Sequence, residues 1–380
     1  MSNGLAGSRR WAIPAVAALA IGGVGYGAVV ATAGSGLPEK SAQEILTGMQ
    51  HADVPALAGT VVAKADLGLP EIPGAAASAE FASLVSGSHT MRVWYDGPDK
   101  VRLAKLGEAG ETNVIRNGVD AWIWSSADRT AVHHTLPADA PSHSATPRKT
   151  DMPHLPSTPE EAARQVVDTL DESATVSTTS QSRVAGRDAY ELVITPDAQN
   201  TLVRDVRIAV DGETMMPLRV QINSTKLSAP AYEIGFTSLE LGDVEDRMFT
   251  FTPPTGTTVE EAPADAAHTE KPDRAKPSTS TGKPEVSVVG EGWGRVYVMP
   301  MPSGGLDVFA TGDQAPRGPH GGGEVGAGDV LNALPEVSGD WGTGRVLDGT
   351  LFSVVITDDA VAAGAVDAGT LTAALAESGR

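Results

Sequence analysis

The chain of 380 residues contains no cysteine. That excludes a disulfide framework, a thiol nucleophile, a zinc–thiolate centre and a lipid-modified cysteine, and it suits an oxidising exterior where a stray thiol is a liability. Basic residues are few: 28 Lys and Arg stand against 48 Asp and Glu, for a formal charge of −20. Neutralising phosphates takes clustered cations, so nucleic acid is not an expected partner. Aromatic residues make up only 4% of the chain. What the sequence has in excess is Gly (42) and Pro (26), which argues against a helical bundle and for strands, turns and linkers. Apolar residues at 41% suffice for real cores, and the length suggests two or three domains.

Long apolar runs are also scarce, and the one that stands out is near the N-terminus. Arg9 and Arg10 precede an uncharged stretch over residues 11–33 that ends in the small-residue pattern Ala31-Thr32-Ala33. Residues 1–33 therefore read as a signal peptide or, since a run of about 20 residues also spans a bilayer, as an uncleaved N-terminal membrane anchor. Either way the remaining chain is expected outside the cytoplasm, secreted or held at the outer face of the cytoplasmic membrane.

After this segment, Ser41-Ala42-Gln43-Glu44 spells a capping box, and Ala42, Ile45, Leu46 and Met49 share a helical face. Residues 65–87, rich in Pro, Gly, Ala and Ser, read as an irregular loop or lid. From residue 88 the apolar period becomes two. Met91, Val93 and Tyr95 alternate with Arg92 and Trp94, and tight turns at 96–99 and at Asn117-Gly118 join strands expected at 101–106, 113–116, 120–125 and 129–135. Residues 136–157 read as a crossing loop. A second helix begins after Ser157 or Thr158, with Pro159, Glu160 and Glu161 in its first turn and Ala163, Val166, Val167 and Leu170 as its buried stripe. Strands resume at 174–184, 189–195, 202–210, 218–223, 232–241 and 248–251. About ten to eleven strands is too many for a flat sheet, so a strongly curved one is expected. Residues 253–285, dominated by Pro, Thr and Glu, read as a linker. Residues 286–380 then form a small C-terminal α+β unit that carries −8 of the net charge. Its strands are expected at 286–289, 294–299, 306–310, 344–347 and 350–357, with a Gly-rich loop at 319–328 and a helix at 370–376.

Motifs that carry chemistry are few. Gly321-Gly322-Gly323-Glu324-Val325-Gly326 has the letters of a dinucleotide fingerprint but neither the preceding strand nor the following helix that the mechanism needs. His133 and His134 are adjacent on a strand and point to opposite faces, so they do not converge on one metal with His143 and His154. Glu160-Glu161 and Asp358-Asp359 fit a helix dipole and a solvated turn. No serine–histidine–acid cluster is local. The reading is a non-enzyme without cofactor or metal. Trp94, Trp122 and Trp124 are three of six tryptophans and fall on neighbouring strands. They suit either a packed core or the wall of a cavity.

The order of elements resembles the LolA-like family. The segments that carry the likeness are AQEILTGMQ (42–50), the strand at 59–63, DLGLPEIPG (66–74), SGSHTMRVWYDGPDKVRLA (86–104) and NVIRNGVDAWIWSSA (113–127). The family includes periplasmic lipoprotein carriers, the sigma-E regulator RseB and mycobacterial lipid-binding lipoproteins. Residues 34–252 are thereby identified as a half-barrel domain: an unclosed antiparallel β-barrel with helices and loops as a lid over an apolar cavity. The resemblance implies a carrier or binder of lipid or of acylated lipoprotein. Its alternative is an RseB-like sensor that contacts a membrane-anchored anti-sigma factor. A monomer is expected. The candidate cavity lining is Met91, Val93, Trp94, Trp122, Trp124, Val206, Ile208, Val220, Ile234 and Phe236.

Overall fold

The computed structural model describes residues 36–69, 86–107, 110–136, 156–168, 173–262, 286–301, 334–339 and 341–378. The signal segment, the strand expected at 306–310, the Gly-rich loop at 319–328, Leu170, His143 and His154 lie outside the described residues. So do most of the expected lid, of the crossing loop and of the linker.

Helix α1 (Ala42–Gln50) starts where the capping box places it: the Glu44 N–H donates to Ser41 Oγ, and the Ser41 N–H donates to Glu44 Oε2 at 2.8 Å. Helix α2 (Pro159–Asp168) is capped by Thr158, whose Oγ1 accepts from the Glu161 N–H, while Glu161 Oε2 accepts from the Ser157 N–H at 2.9 Å. These reciprocal bonds satisfy amide donors that a helix start leaves unpaired.

Among the described residues, twelve strands form one curved sheet that does not close into a barrel. The first meander is β1 (Leu57–Asp66), β2 (Ser86–Tyr95), β3 (Lys100–Gly107), β4 (Gly110–Asn117), β5 (Asp120–Ser125) and β6 (Thr130–Thr135). The second is β7 (Ala174–Val184), β8 (Arg187–Pro196), β9 (Val203–Asp211), β10 (Pro217–Ser224) and β11 (Pro230–Leu241). The meanders join side by side through the antiparallel pair β1–β11. Turn chemistry sets the register: Gly118, at φ +63°, closes the two-residue loop that brings Asn117 opposite Asp120.

Two expected elements are corrected. Residues 248–251 are not a strand: a 3-10 turn (Asp246–Met248) leads into irregular chain. The period of two was real, because Phe249 is buried and Phe251 packs on tryptophans, but it arises from packing onto the sheet without strand pairing. The start of the expected linker is also ordered, since β12 (Thr258–Ala262) adds to the sheet edge parallel to β6.

A second, six-stranded sheet contains β13 (Ser287–Val289), β14 (Val296–Pro300), β15 (Glu336–Gly339), β16 (Gly342–Asp348), β17 (Ser353–Thr357) and β18 (Ala360–Gly364), in the order β13-β14-β18-β17-β16-β15. Helix α3 (Ala368–Glu377), capped by Asp367, packs on one face and buries Leu371, Ala374 and Leu375 with Val296, Val298, Val355 and Ala362. This small sheet is bonded to the large one. The Leu202 N–H donates to Ala365 O at 2.7 Å, the Thr350 N–H to Leu67 O at 2.9 Å, and Lys226 pairs with Asp348 at 2.8 Å.

Candidate functional site

Strand alternation gives the large sheet two faces, and α1 and α2 lie on one of them. Over β8–β11 this helix face is sealed. Leu192, Ile208, Val220 and Ile234 form a register-aligned row, all at or below 1% exposure, with Ile45, Ala162 and Ala163 of the helices in the same core. Phe236 joins them by lying over Gly59, where any Cβ would meet its ring at 3.0 Å. Burial pushes the Tyr232 hydroxyl up to about 12, with Glu161 adding to the shift.

Over β2–β6 the same face is less covered. One row runs Val93, Leu103, Val114, Ile123, Val132, a single residue per strand in direct register. Val93 is buried and the other four are half-buried. Met91, Tyr95 and Leu103 pack against the main core, so the row is continuous with the apolar interior beneath α2. Burial raises the Tyr95 phenol above its ordinary pKa, helped by Glu160 and Asp53.

The opposite face reverses the arrangement. Across β2–β6 it is covered by a strap, residues 242–257, that leaves β11, crosses the sheet and enters β12. Phe249 is buried there, and the Phe251 ring sits 5.3 Å from Trp122 and 6.0 Å from Trp124. The Arg102 guanidinium lies 5.3 Å from the Trp94 ring centroid, donates to Asn113 Oδ1 at 3.0 Å and reaches the strap at Met248 O. A cleft of about 310 Å³ remains between Trp94, Ala58 and residues 240–248. At the sheet edge His133 stacks on Trp122 at 4.2 Å and bonds both Glu261 Oε2 of β12 (2.8 Å) and Asp120 Oδ1 (3.0 Å). Burial opposes its protonation, but the two carboxylates outweigh that and hold the imidazole above its ordinary pKa.

Across β7–β11 this second face is polar. Glu191 bonds Arg219 and Thr179, Asp205 is bonded by Arg204, Arg207 and Asn223, and Gln221 donates to Glu233. At the β7–β8 end, Arg187 grips the buried Asp211, whose carboxyl is held below its usual range despite burial.

The ten residues expected to line a cavity thus divide between faces. Met91, Val93, Val206, Ile208, Val220, Ile234 and Phe236 are on the helix face, the last five beneath or beside the helices. Trp94, Trp122 and Trp124 are on the strap face. Leu103, Val114, Ile123 and Val132 were missed, although the two-residue turn at Gly118 already placed Ile123 opposite Val114. Among the described residues no group of three His, Asp or Glu side chains is placed to hold a metal.

Residues 79–260 match the family of predicted periplasmic proteins DUF2092. The match supports an extracytoplasmic location. No curated protein sequence matches the chain. Among solved structures it is similar to the Pseudomonas aeruginosa MucA/MucB complex at 17% identity, over 88% of this chain and 96% of that one, with a TM-score of 0.39. It is similar to an uncharacterized conserved protein from Thermus thermophilus at 12% identity, covering 58% and 99% of the two chains, TM-score 0.32. A LolA superfamily protein from Nitrosomonas europaea matches at 11% identity, 56% and 99% coverage and TM-score 0.23.

Proposed function

We propose that this is a non-catalytic extracytoplasmic protein, working as a monomer, that binds lipid or the acyl chain of a lipoprotein on the helix face of β2–β6. The observation that carries the reading is the apolar row Val93, Leu103, Val114, Ile123, Val132, half-buried beyond Val93, and its continuity with the core under α2. Five strands side by side extend the row over about 19 Å. Burying a methylene is worth about 0.8 kcal/mol, so a sixteen-carbon chain gains on the order of 10 kcal/mol before ordering costs. Helix α2 is the element that moves to admit more of the ligand. It has only 10 residues, and helices that short depend on packing for stability. Displacing it extends the row toward Val220, Ile234 and Val206, the deeper part of the lining expected from sequence. Residues 34–262 are then the binding domain, 286–380 a second small domain and 1–33 the export or anchoring segment.

A second reading, a regulator that contacts a membrane-anchored protein, draws support from the C-terminal sheet. Its face opposite α3 exposes Val288, Tyr297 and Met299. The two readings separate in a titration of the delipidated protein with a fluorescent long-chain acyl probe. Saturable one-to-one binding that weakens at least tenfold in Val114→Glu supports the lipid reading. A protein that rejects the probe contradicts it and leaves the regulator.

A further inference from the structure

One step along the strands from the apolar row, towards the hairpin turns, the helix face carries Tyr95, Val101, Arg116, Ala121 and His134 in register. Arg116 is 4% exposed. Its Nε donates to Gly118 O at 3.1 Å and its Nη2 to Asp99 Oδ1 at 2.9 Å, while Nη1 is buried with no hydrogen-bond partner among the described residues. A guanidinium stays charged at any physiological pH, and a buried donor without an acceptor is costly, so native interiors almost always pair it. Asp99 is 68% exposed, and solvent weakens its hold on the buried cation. The orphaned N–H is two residues along β4 from Val114, at the middle of the row proposed to take an acyl chain.

We infer that Arg116 Nη1 is the subsite for the anionic head, a carboxylate or a phosphate, of the amphiphile whose tail lies along Val114, Leu103 and Val93 towards the core under α2. The inference rests on the lipid-binding reading above and adds the ligand's class of head group. The chemistry favours such anions: the planar fork of Arg matches the paired oxygens of carboxylate and phosphate, and a charge-assisted bond supplies the missing acceptor. Tyr95 and His134 stand in the same row two strands to either side of Arg116, beyond Val101 and Ala121, and make its ends polar while the next row stays apolar.

The test titrates the delipidated full chain with three probes of equal tail length: dodecanoate, dodecyl phosphate and dodecanol. The expected result is at least tenfold tighter binding of one or both anions than of the alcohol. Arg116→Met should abolish that preference while the alcohol still binds, and the stronger anion identifies the source as a fatty acid or a phospholipid head. Equal affinity for all three overturns the subsite and leaves the apolar row standing. Failure of all three to bind overturns the lipid reading itself. Should Arg116→Met not fold, Asp99→Asn decides: freeing the cation of its exposed counter-charge should tighten the anions several-fold, and an unchanged affinity overturns the proposal.

Discussion

The two halves of the large sheet solve one problem in opposite ways. A sheet this size has two faces and too few apolar residues to bury both, so each half chooses one. Strands β8–β11 bury the helix face under α1 and α2 and carry a polar ladder of Glu191, Arg207, Arg219, Asp205 and Glu233 on the other, with Glu191 and Asp205 buried beneath the arginines. Strands β2–β6 bury the other face under the strap, with Trp122, Trp124, Phe249 and Phe251, and leave the helix face with a half-covered apolar row. On the function proposed above, the difference separates stability from function: the sealed half fixes the fold, and the half whose helix face is only partly covered offers its apolar surface to a ligand.

Cutting the sealed half should cost the most. Ile208→Ala, at a site with no exposure, is expected to lose about 2–5 kcal/mol of stability, whereas the half-buried Ile123→Ala should lose about 1 kcal/mol or less. Urea denaturation of both variants checks this; equal losses would erase the distinction between the halves. Next in size is Phe251→Ala. Removing the ring that holds the strap on two tryptophans should cost about 2–3 kcal/mol and shift tryptophan fluorescence to the red. An unshifted spectrum would mean that the strap does not shield them.

Asp211 offers a pH test of the sealed half. Its folded carboxyl is held below the ordinary value near 3.8, so its contribution is present above that pH and is lost as pH falls through the lower folded value. Asp211→Asn should cost about 2 kcal/mol at neutral pH and flatten this acid limb. The smallest effect belongs to His133 at the edge of the other half. Its pKa is raised on folding, so its bonds to Glu261 and Asp120 stabilise β12 fully below the ordinary value near 6.5 and fade as pH rises through the raised one. Amide exchange in β12 should therefore quicken across that window, and a His133→Gln variant should show no such pH dependence.

Much of the sheet was legible because its signals are local. The capping box at Ser41 and Glu44, Asn117-Gly118, and the alternation of Met91, Val93 and Tyr95 each report a bond or a turn made within a few residues. What failed to read was long-range. Trp122 and Trp124 are apolar and alternate properly, but only the return of residues 242–257 over them decides that they pack against a strap. The pairing of β12 with β6 is parallel and spans more than a hundred residues, and the short, charged stretch TVEEA gives little strand signal of its own. Arg116 was indistinguishable from other strand arginines, since an unpartnered buried atom has no sequence signature.

The central claim is that an acyl chain lies on the helix face of β2–β6. The most direct measurement is native mass spectrometry of the full chain purified from a membrane-containing host, alongside Ile123→Glu on that face and Arg92→Glu, exposed on the other. The account predicts stoichiometric acyl species on the unaltered protein and on Arg92→Glu, and none on a folded Ile123→Glu. A lipid-free protein that also rejects added lipid, or an Ile123→Glu variant loaded as fully as the parent, would contradict it.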